Sequence, residues 1–288
     1  MMKRTFSLLL ALMTLTLASS SCSFFRSAGM QSRSHVLPEQ RISIEEVYSS
    51  RDHLGIYGRL YRPVGVKGRL PLVILSHGFG VTHRDGEGYA ELLTRMGYLC
   101  YTFDFNGGGR ESLSAGATTD MSVLTEQADL NAVIDQLKRR SDVDPRYITL
   151  LGLSQGGLVS ALTAASRPDD IASLILIYPA FSIPEMARKQ WGEYSKIPQV
   201  NTLWGMRLGE KYYKDVWNID PYAVIGRFQG PVLILHGDKD RIVEQSVSDR
   251  AATIYKNVEY HVIPGGEHGF SGEALQQVKR YIQTFMKR

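Results

Sequence analysis

The chain is poor in cysteine, with Cys22 and Cys100 alone among 288 residues. Cys100 sits in an apolar strand pattern and reads as a buried thiol, and Cys22 lies in a leader-like segment. No disulfide framework therefore holds this chain together. Charge of one sign is also scarce. The 33 Lys and Arg are nearly balanced by 29 Asp and Glu, for a net charge of +4, and no run of basic residues forms a stripe. That pattern excludes the electrostatic footprint of a nucleic-acid binder. No His/Cys/Asp cluster has the spacing of metal ligands, so no metal and no cofactor is expected. Gly107-Gly108-Gly109 fits neither the dinucleotide nor the P-loop pattern and reads as a flexible turn.

The N-terminus has its own logic. Lys3 and Arg4 precede an apolar stretch from Leu8 to Leu17, and small residues follow from Ala18 to Ser21. This is the layout of an export signal over residues 1–22, and the apolar stretch is too short for a membrane span. Cys22 stands where a bacterial lipoprotein carries its lipidated cysteine, although Ser19 occupies the place of the usual aliphatic residue. The expectation is export from a bacterial cytoplasm, either as a lipid-anchored protein or as a cleaved periplasmic or secreted one. Residues 23–40 are polar and irregular and read as a linker.

From residue 41 onward strand and helix patterns alternate. Ile42 to Tyr48 and Gly55 to Tyr61 suggest an antiparallel opening pair. Further strands are expected at Leu72–Leu75, Tyr98–Phe105, Tyr147–Leu153, Ile171–Ile177, Pro231–Leu235 and Val258–Ile263. Helices are expected at Tyr89–Met96, Val123–Arg139, Gly156–Ser166, Glu244–Lys256 and Gly272–Met286, and Asp144-Pro145 marks a turn. Ile171–Ile177 is almost wholly apolar, as a strand covered on both faces should be. Such alternation gives a mostly parallel sheet with helices on both faces. About fifty residues between Ile177 and Pro231 show no clear strand, too many for a plain connection. They hold all three tryptophans, Trp191, Trp204 and Trp217, and read as a cap inserted over roughly residues 180–228.

Gly152-Leu153-Ser154-Gln155-Gly156 fits G-x-S-x-G. It follows an apolar strand and opens a helix, the context of a nucleophile elbow in an α/β-hydrolase fold. The flanking glycines let strand and helix approach closely around a strained serine. A serine needs a base that is itself oriented, and in this fold the chain order is Ser, acid, His. His268, on a loop past Pro264-Gly265-Gly266, is the candidate base, whereas His261 lies inside a strand. Of the two acids after Pro231–Leu235, Asp240 sits further onto the loop and Asp238 is placed to hold the turn. His77 and His236 read as structural. The backbone N–H groups of Phe79 and Gln155 are the candidate oxyanion donors.

The segments His77-Gly78-Phe79-Gly80, Phe103-Asp104-Phe105-Asn106-Gly107, Gly152 to Gly157, His236 to Asp240 and Gly266-Glu267-His268-Gly269-Phe270 occur in that order. Together they resemble the bacterial cinnamoyl/feruloyl esterases of the α/β-hydrolase superfamily, over residue 41 to the C-terminus. The resemblance implies a catalytic triad of Ser154, Asp240 and His268. It also implies a small insert over the site that holds a phenolic ring, with Tyr212 or Tyr213 binding the ring hydroxyl. Trp191 and Trp204 are further candidates for that pocket. One departure is visible, since the family carries His where this chain has Gly108. The resemblance implies a serine ester hydrolase that works through an acyl-enzyme and releases hydroxycinnamic acids of the ferulate type from plant-polysaccharide esters, with a small ester or an esterified oligosaccharide as substrate. Competing readings are a short-chain acyl esterase or monoacylglycerol-type lipase, an acyl-peptide hydrolase, and a catalytically dead binding protein.

Overall fold

The computed structural model describes residues 40–288. The leader, Cys22 and nearly all of the linker lie outside the described residues. The chain opens with β1 (Ile42–Glu46), the short hairpin β2 (Ser49–Arg51) and β3 (Leu54–Ile56), and β4 (Gly58–Pro63). β1 and β4 are the antiparallel pair, with Ile42 opposite Pro63. The β2–β3 hairpin, with three-residue strands, is too short to show in the sequence pattern. Asp52 and His53 turn it, both at positive φ, the conformation a tight two-residue hairpin requires.

Next come β5 (Leu70–Ser76), α1 (Glu87–Arg95), β6 (Leu99–Phe103), α2 (Val123–Leu137), β7 (Val143–Leu153), α3 (Gln155–Ser166) and β8 (Ser173–Ile177). Asp144-Pro145 lies within β7 and not in a turn. The register of β5 on β7 shifts between Leu70 and Leu72, beside this irregular start. The α2 N-terminus is fixed by a capping box between Ser122 and Thr125.

Between β8 and the next core strand the chain leaves the sheet. α4 (Ile183–Trp191) is followed by β9 (Val200–Leu203), β10 (Met206–Gly209) and the single turn α5 (Lys211–Lys214). The expectation of no strand here is corrected, because β9 and β10 pair as a hairpin. Its strands are only four residues long, too short for an alternation to stand out. The sheet then resumes with β11 (Val232–Gly237), α6 (Gln245–Ala252), β12 (Val258–Ile263) and α7 (Gly272–Phe285).

The eight-stranded sheet runs β1-β4-β6-β5-β7-β8-β11-β12. It is parallel from β6 onward, so β5, β7, β11 and β12 all deliver their C-terminal ends to one edge. Alternate strand residues serve opposite faces. Leu72, Ile74, Leu174 and Leu176 pack with Leu130, Val133 and Leu158 of α2 and α3. Val73, Leu75, Ile175 and Ile177 pack with Leu93, Val278 and Ile282 of α1 and α7. This period-two partition over two helix layers is the α/β-hydrolase architecture, and it holds the functional loops at the strands' C-terminal edge.

Candidate active site

Ser154 stands between β7 and α3 with φ 50° and ψ −117°, a strained backbone for a residue with a side chain. Neighbouring glycines make this turn possible. A Cβ on Gly152 would lie 2.3 Å from the Gly156 carbonyl, and one on Gly156 would lie 2.3 Å from the Ser76 carbonyl. The elbow thus presents the serine above the sheet edge while strand and helix nearly touch.

His268 and Asp240 come from the loops after β12 and β11. The His268 Nε2 lies 3.0 Å from the Ser154 Oγ, and its Nδ1 lies 2.7 Å from the Asp240 Oδ2. An ionised Asp240 can only accept, so Nδ1 carries the proton and Nε2 is free to accept from the serine hydroxyl. Burial alone would raise the Asp240 pKa. Hydrogen bonds from His236, His268 and the amides of Val243 and Ile242 outweigh it and hold the carboxyl well below the usual range. The Tyr178 ring backs the imidazole, with centroids 4.4 Å apart.

The surrounding loops are tied down by the groups read as structural. Asp238 accepts the Gly265 amide at 2.7 Å and so joins the acid loop to the histidine loop. His236 receives Ser248 at one nitrogen and donates to the Val243 carbonyl from the other, which steadies the turn that carries Asp240. His261 stacks on Tyr281 and bonds Glu259, away from the triad.

The loop after β5 passes directly over the serine, since a Cβ on Gly78 would lie 3.4 Å from the Ser154 Cβ. The Phe79 and Gln155 N–H groups engage no backbone or side-chain acceptor among the described residues. For Gln155 this follows from its place at the start of α3, where the first amides have no intrahelical partner. His77 is buried and bonded on both sides, taking the Phe105 amide at Nε2 and donating from Nδ1 to the Gly78 carbonyl. Burial pushes its pKa down, in keeping with a neutral ring.

An apolar slot opens beside the serine, lined by Phe79, Ile183, Met186, Leu203, Trp204 and Tyr212, with Ser182 and Ile242 at its wall. Of the aromatic candidates, the structure brings Trp204 and Tyr212 to this slot. Trp204 turns the β9–β10 hairpin at positive φ and sets its ring edge against Phe79, which also meets Tyr212. Trp191 and Tyr213 are corrected to cap packing. They meet each other ring to edge, and the Tyr213 hydroxyl receives Asn201. The Tyr212 hydroxyl donates to the Gln155 side chain, so toward a ligand in the slot it can act only as an acceptor.

The flexible-turn reading of Gly107 to Gly109 does not hold either. Added Cβ atoms would lie 2.3 Å from the Ala117 carbonyl, 2.8 Å from the Phe105 Cβ and 2.5 Å from the Val81 carbonyl. The turn is closely packed, and the family's histidine would not fit at Gly108 in this conformation. Sequence reasoning missed Glu126, which lies buried behind Gln155, and Tyr178. A lone glutamate one turn into a helix carries no sequence signal of burial.

Comparison with known proteins agrees with this geometry. The profile of the Hydrolase_4 family, described as serine aminopeptidase, S33, matches residues 69–216, just over half of the chain. Est1E from Butyrivibrio proteoclasticus, solved with ferulic acid bound, is 28% identical with a TM-score of 0.76. That similarity covers 84% of this chain and 100% of that one. Human monoglyceride lipase is 29% identical over 250 residues, covering 72% of this chain and 80% of the lipase. An uncharacterised protein of Mycobacterium tuberculosis is 29% identical over 250 residues, covering 85% and 78%. The chain belongs to the Hydrolase_4 (serine aminopeptidase, S33) family and is a serine hydrolase of the α/β-hydrolase fold.

Proposed function

We propose that this serine hydrolase cleaves carboxylic esters whose acyl group is a flat aromatic acid of the hydroxycinnamoyl type. The observation that carries the reading is the apolar lining beside Ser154, where Phe79, Trp204 and Tyr212 wall a slot of about 30 Å³ that must widen to admit an aromatic ring. The likeness to Est1E with its bound ferulic acid supports it. In this reading Ser154 Oγ attacks the ester carbonyl while His268 takes its proton, and the N–H groups of Phe79 and Gln155 receive the oxyanion. His268 returns the proton to the departing alkoxide, leaving an acyl group on Ser154. A water deprotonated by His268 then releases the acid and restores the serine.

Hydrolysis of an aminoacyl amide is the reading suggested by the family's description. A short-chain acyl esterase or monoacylglycerol-type lipase is the second reading, favoured by the likeness to human monoglyceride lipase. Hydrolysis of methyl ferulate, nitrophenyl butyrate, a monoacylglycerol and an aminoacyl amide, compared by kcat/KM, separates these readings. The first expects methyl ferulate to lead.

Export through residues 1–22, with Cys22 lipidated or the leader simply cleaved, is part of the proposal and rests on the sequence pattern. In a bacterial host the leader is expected to be removed, and Cys22→Ser is expected to release the protein from the membrane fraction. Full-length protein in the cytoplasm would contradict it.

A further inference from the structure

Acyl transfer asks only for the backbone amide of Gln155, yet its side chain is held at both ends. Oε1 accepts the Tyr212 hydroxyl at 2.8 Å, and Nε2 donates to the Glu126 Oε2 at 2.8 Å. The three residues come from α5 in the cap, the first turn of α3 and α2. All are buried, with Glu126 and Gln155 at 1% exposure and Tyr212 at 4%. Burying a carboxyl, an amide and a phenol is costly unless each is bonded, and Glu126 Oε1 has no partner among the described residues. Apolar side chains of similar size would pack this seam without that cost.

The N-terminal end of α2 is also where the cap is fastened. The Ser122 hydroxyl donates to Asp215 at 2.5 Å, just after α5, and the Thr118 hydroxyl donates to the Arg207 carbonyl at 2.5 Å, on β10. The cap, α2 and the elbow therefore meet at Gln155. An oxyanion donor is effective only when its direction is fixed before the charge develops. Here the donor follows a residue strained at positive φ, so relaxation of the elbow would swing the amide. A side chain clamped at both ends resists that motion.

We propose that Tyr212, Gln155 and Glu126 form a latch that makes the oxyanion amide of Gln155 depend on a seated cap, with Tyr212 and Glu126 as positioning residues. Lifting the cap breaks the Tyr212 bond and frees one end of the Gln155 side chain. The site is then competent only when the cap is down. The inference rests on Ser154 as nucleophile and is independent of which acyl group the slot prefers.

Tyr212→Phe keeps the ring against Phe79 and removes only the hydroxyl. The expected result is a fall in kcat of about tenfold, equal for nitrophenyl butyrate and methyl ferulate, with KM within about twofold. Labelling of Ser154 by a fluorophosphonate should slow by the same factor. Glu126→Gln, which still offers an acceptor, should stay within about threefold of the parent kcat, whereas Glu126→Leu should match Tyr212→Phe. An effect confined to KM, or to one ester, would overturn the latch and make Tyr212 a wall of the slot. A lower melting temperature with kcat and labelling unchanged would overturn it as well. Labelling needs no ester, so a chain that labels at Ser154 and ignores methyl ferulate fails the aromatic-acyl reading and leaves the latch to be judged on nitrophenyl butyrate.

Discussion

The His77 Nδ1 lies 2.7 Å from the carbonyl oxygen of Gly78, and that contact orients the peptide leading to Phe79. In a trans peptide the carbonyl and the N–H point in opposite directions. A carbonyl drawn toward His77 therefore turns the Phe79 N–H away from His77, in a loop that runs close to Ser154. His77→Ala is expected to lower kcat by about 10- to 100-fold with little change in KM, the signature of a donor that matters in the transition state. Steady-state kinetics on nitrophenyl butyrate check it. A change in KM alone would mean that the loop shapes the pocket and not the donor.

The two acids after β11 should separate cleanly. Asp240→Asn can no longer hold the Nδ1–H tautomer of His268 and is expected to cost on the order of 10⁴-fold in kcat. Asp238→Asn weakens the bond to the Gly265 amide and is expected to cost less than tenfold in kcat, with a measurable fall in melting temperature. The opposite ranking would move the orienting role to Asp238.

Glu126 and Asp240 give opposite pH signs. Burial, reinforced by Asp129, raises the Glu126 pKa well above the carboxylate range, although the bond from Gln155 opposes the shift. The folded state thus keeps its proton after the unfolded state has lost it. The stability this group contributes is fully present below about pH 4, the unfolded value, and is lost as pH rises toward the folded value. Glu126→Gln should therefore melt above the parent at pH 8, with the gap closing toward pH 4. Asp240 is depressed, so its contribution is present above about pH 4 and is lost as pH falls below that value. Melting curves of both variants from pH 3 to pH 8 test the two signs together.

Gly108→His restores the residue the resembling esterases carry. Its Cβ would lie 2.8 Å from the Phe105 Cβ and 3.2 Å from the His77 ring. The substitution is expected to destabilise by about 1–3 kcal/mol and to lower activity through His77. Chemical denaturation and kcat measured on one preparation check this. An unchanged midpoint would show that the turn can rearrange.

Much of this was legible in the residues themselves. Strand and helix patterns alternate because each element must bury one face, and G-x-S-x-G is constrained by a steric requirement that Gly152 and Gly156 satisfy. His268 and Asp240 were legible because chain order and loop position restrict who can reach the serine. Other features were not. The β9–β10 hairpin has strands of only four residues, too few to establish a period. The pairing of Tyr212 with Gln155 joins residues 57 apart, and the burial of Glu126 depends on how the cap sits on α2. Such contacts are properties of tertiary packing, and residue type alone does not encode them. Trp191 and Trp204 look alike in the sequence, yet one packs against Tyr213 and the other reaches the slot.

The most direct measurement is the turnover of nitrophenyl butyrate by Ser154→Ala beside the parent chain, with mass analysis after fluorophosphonate treatment. The expected result is a loss of several orders of magnitude in kcat, an unchanged melting temperature within a few degrees, and an adduct on the parent at Ser154 that the variant lacks. Near-normal turnover by Ser154→Ala, or an adduct at another residue with Ser154 untouched, would contradict ester hydrolysis through this serine.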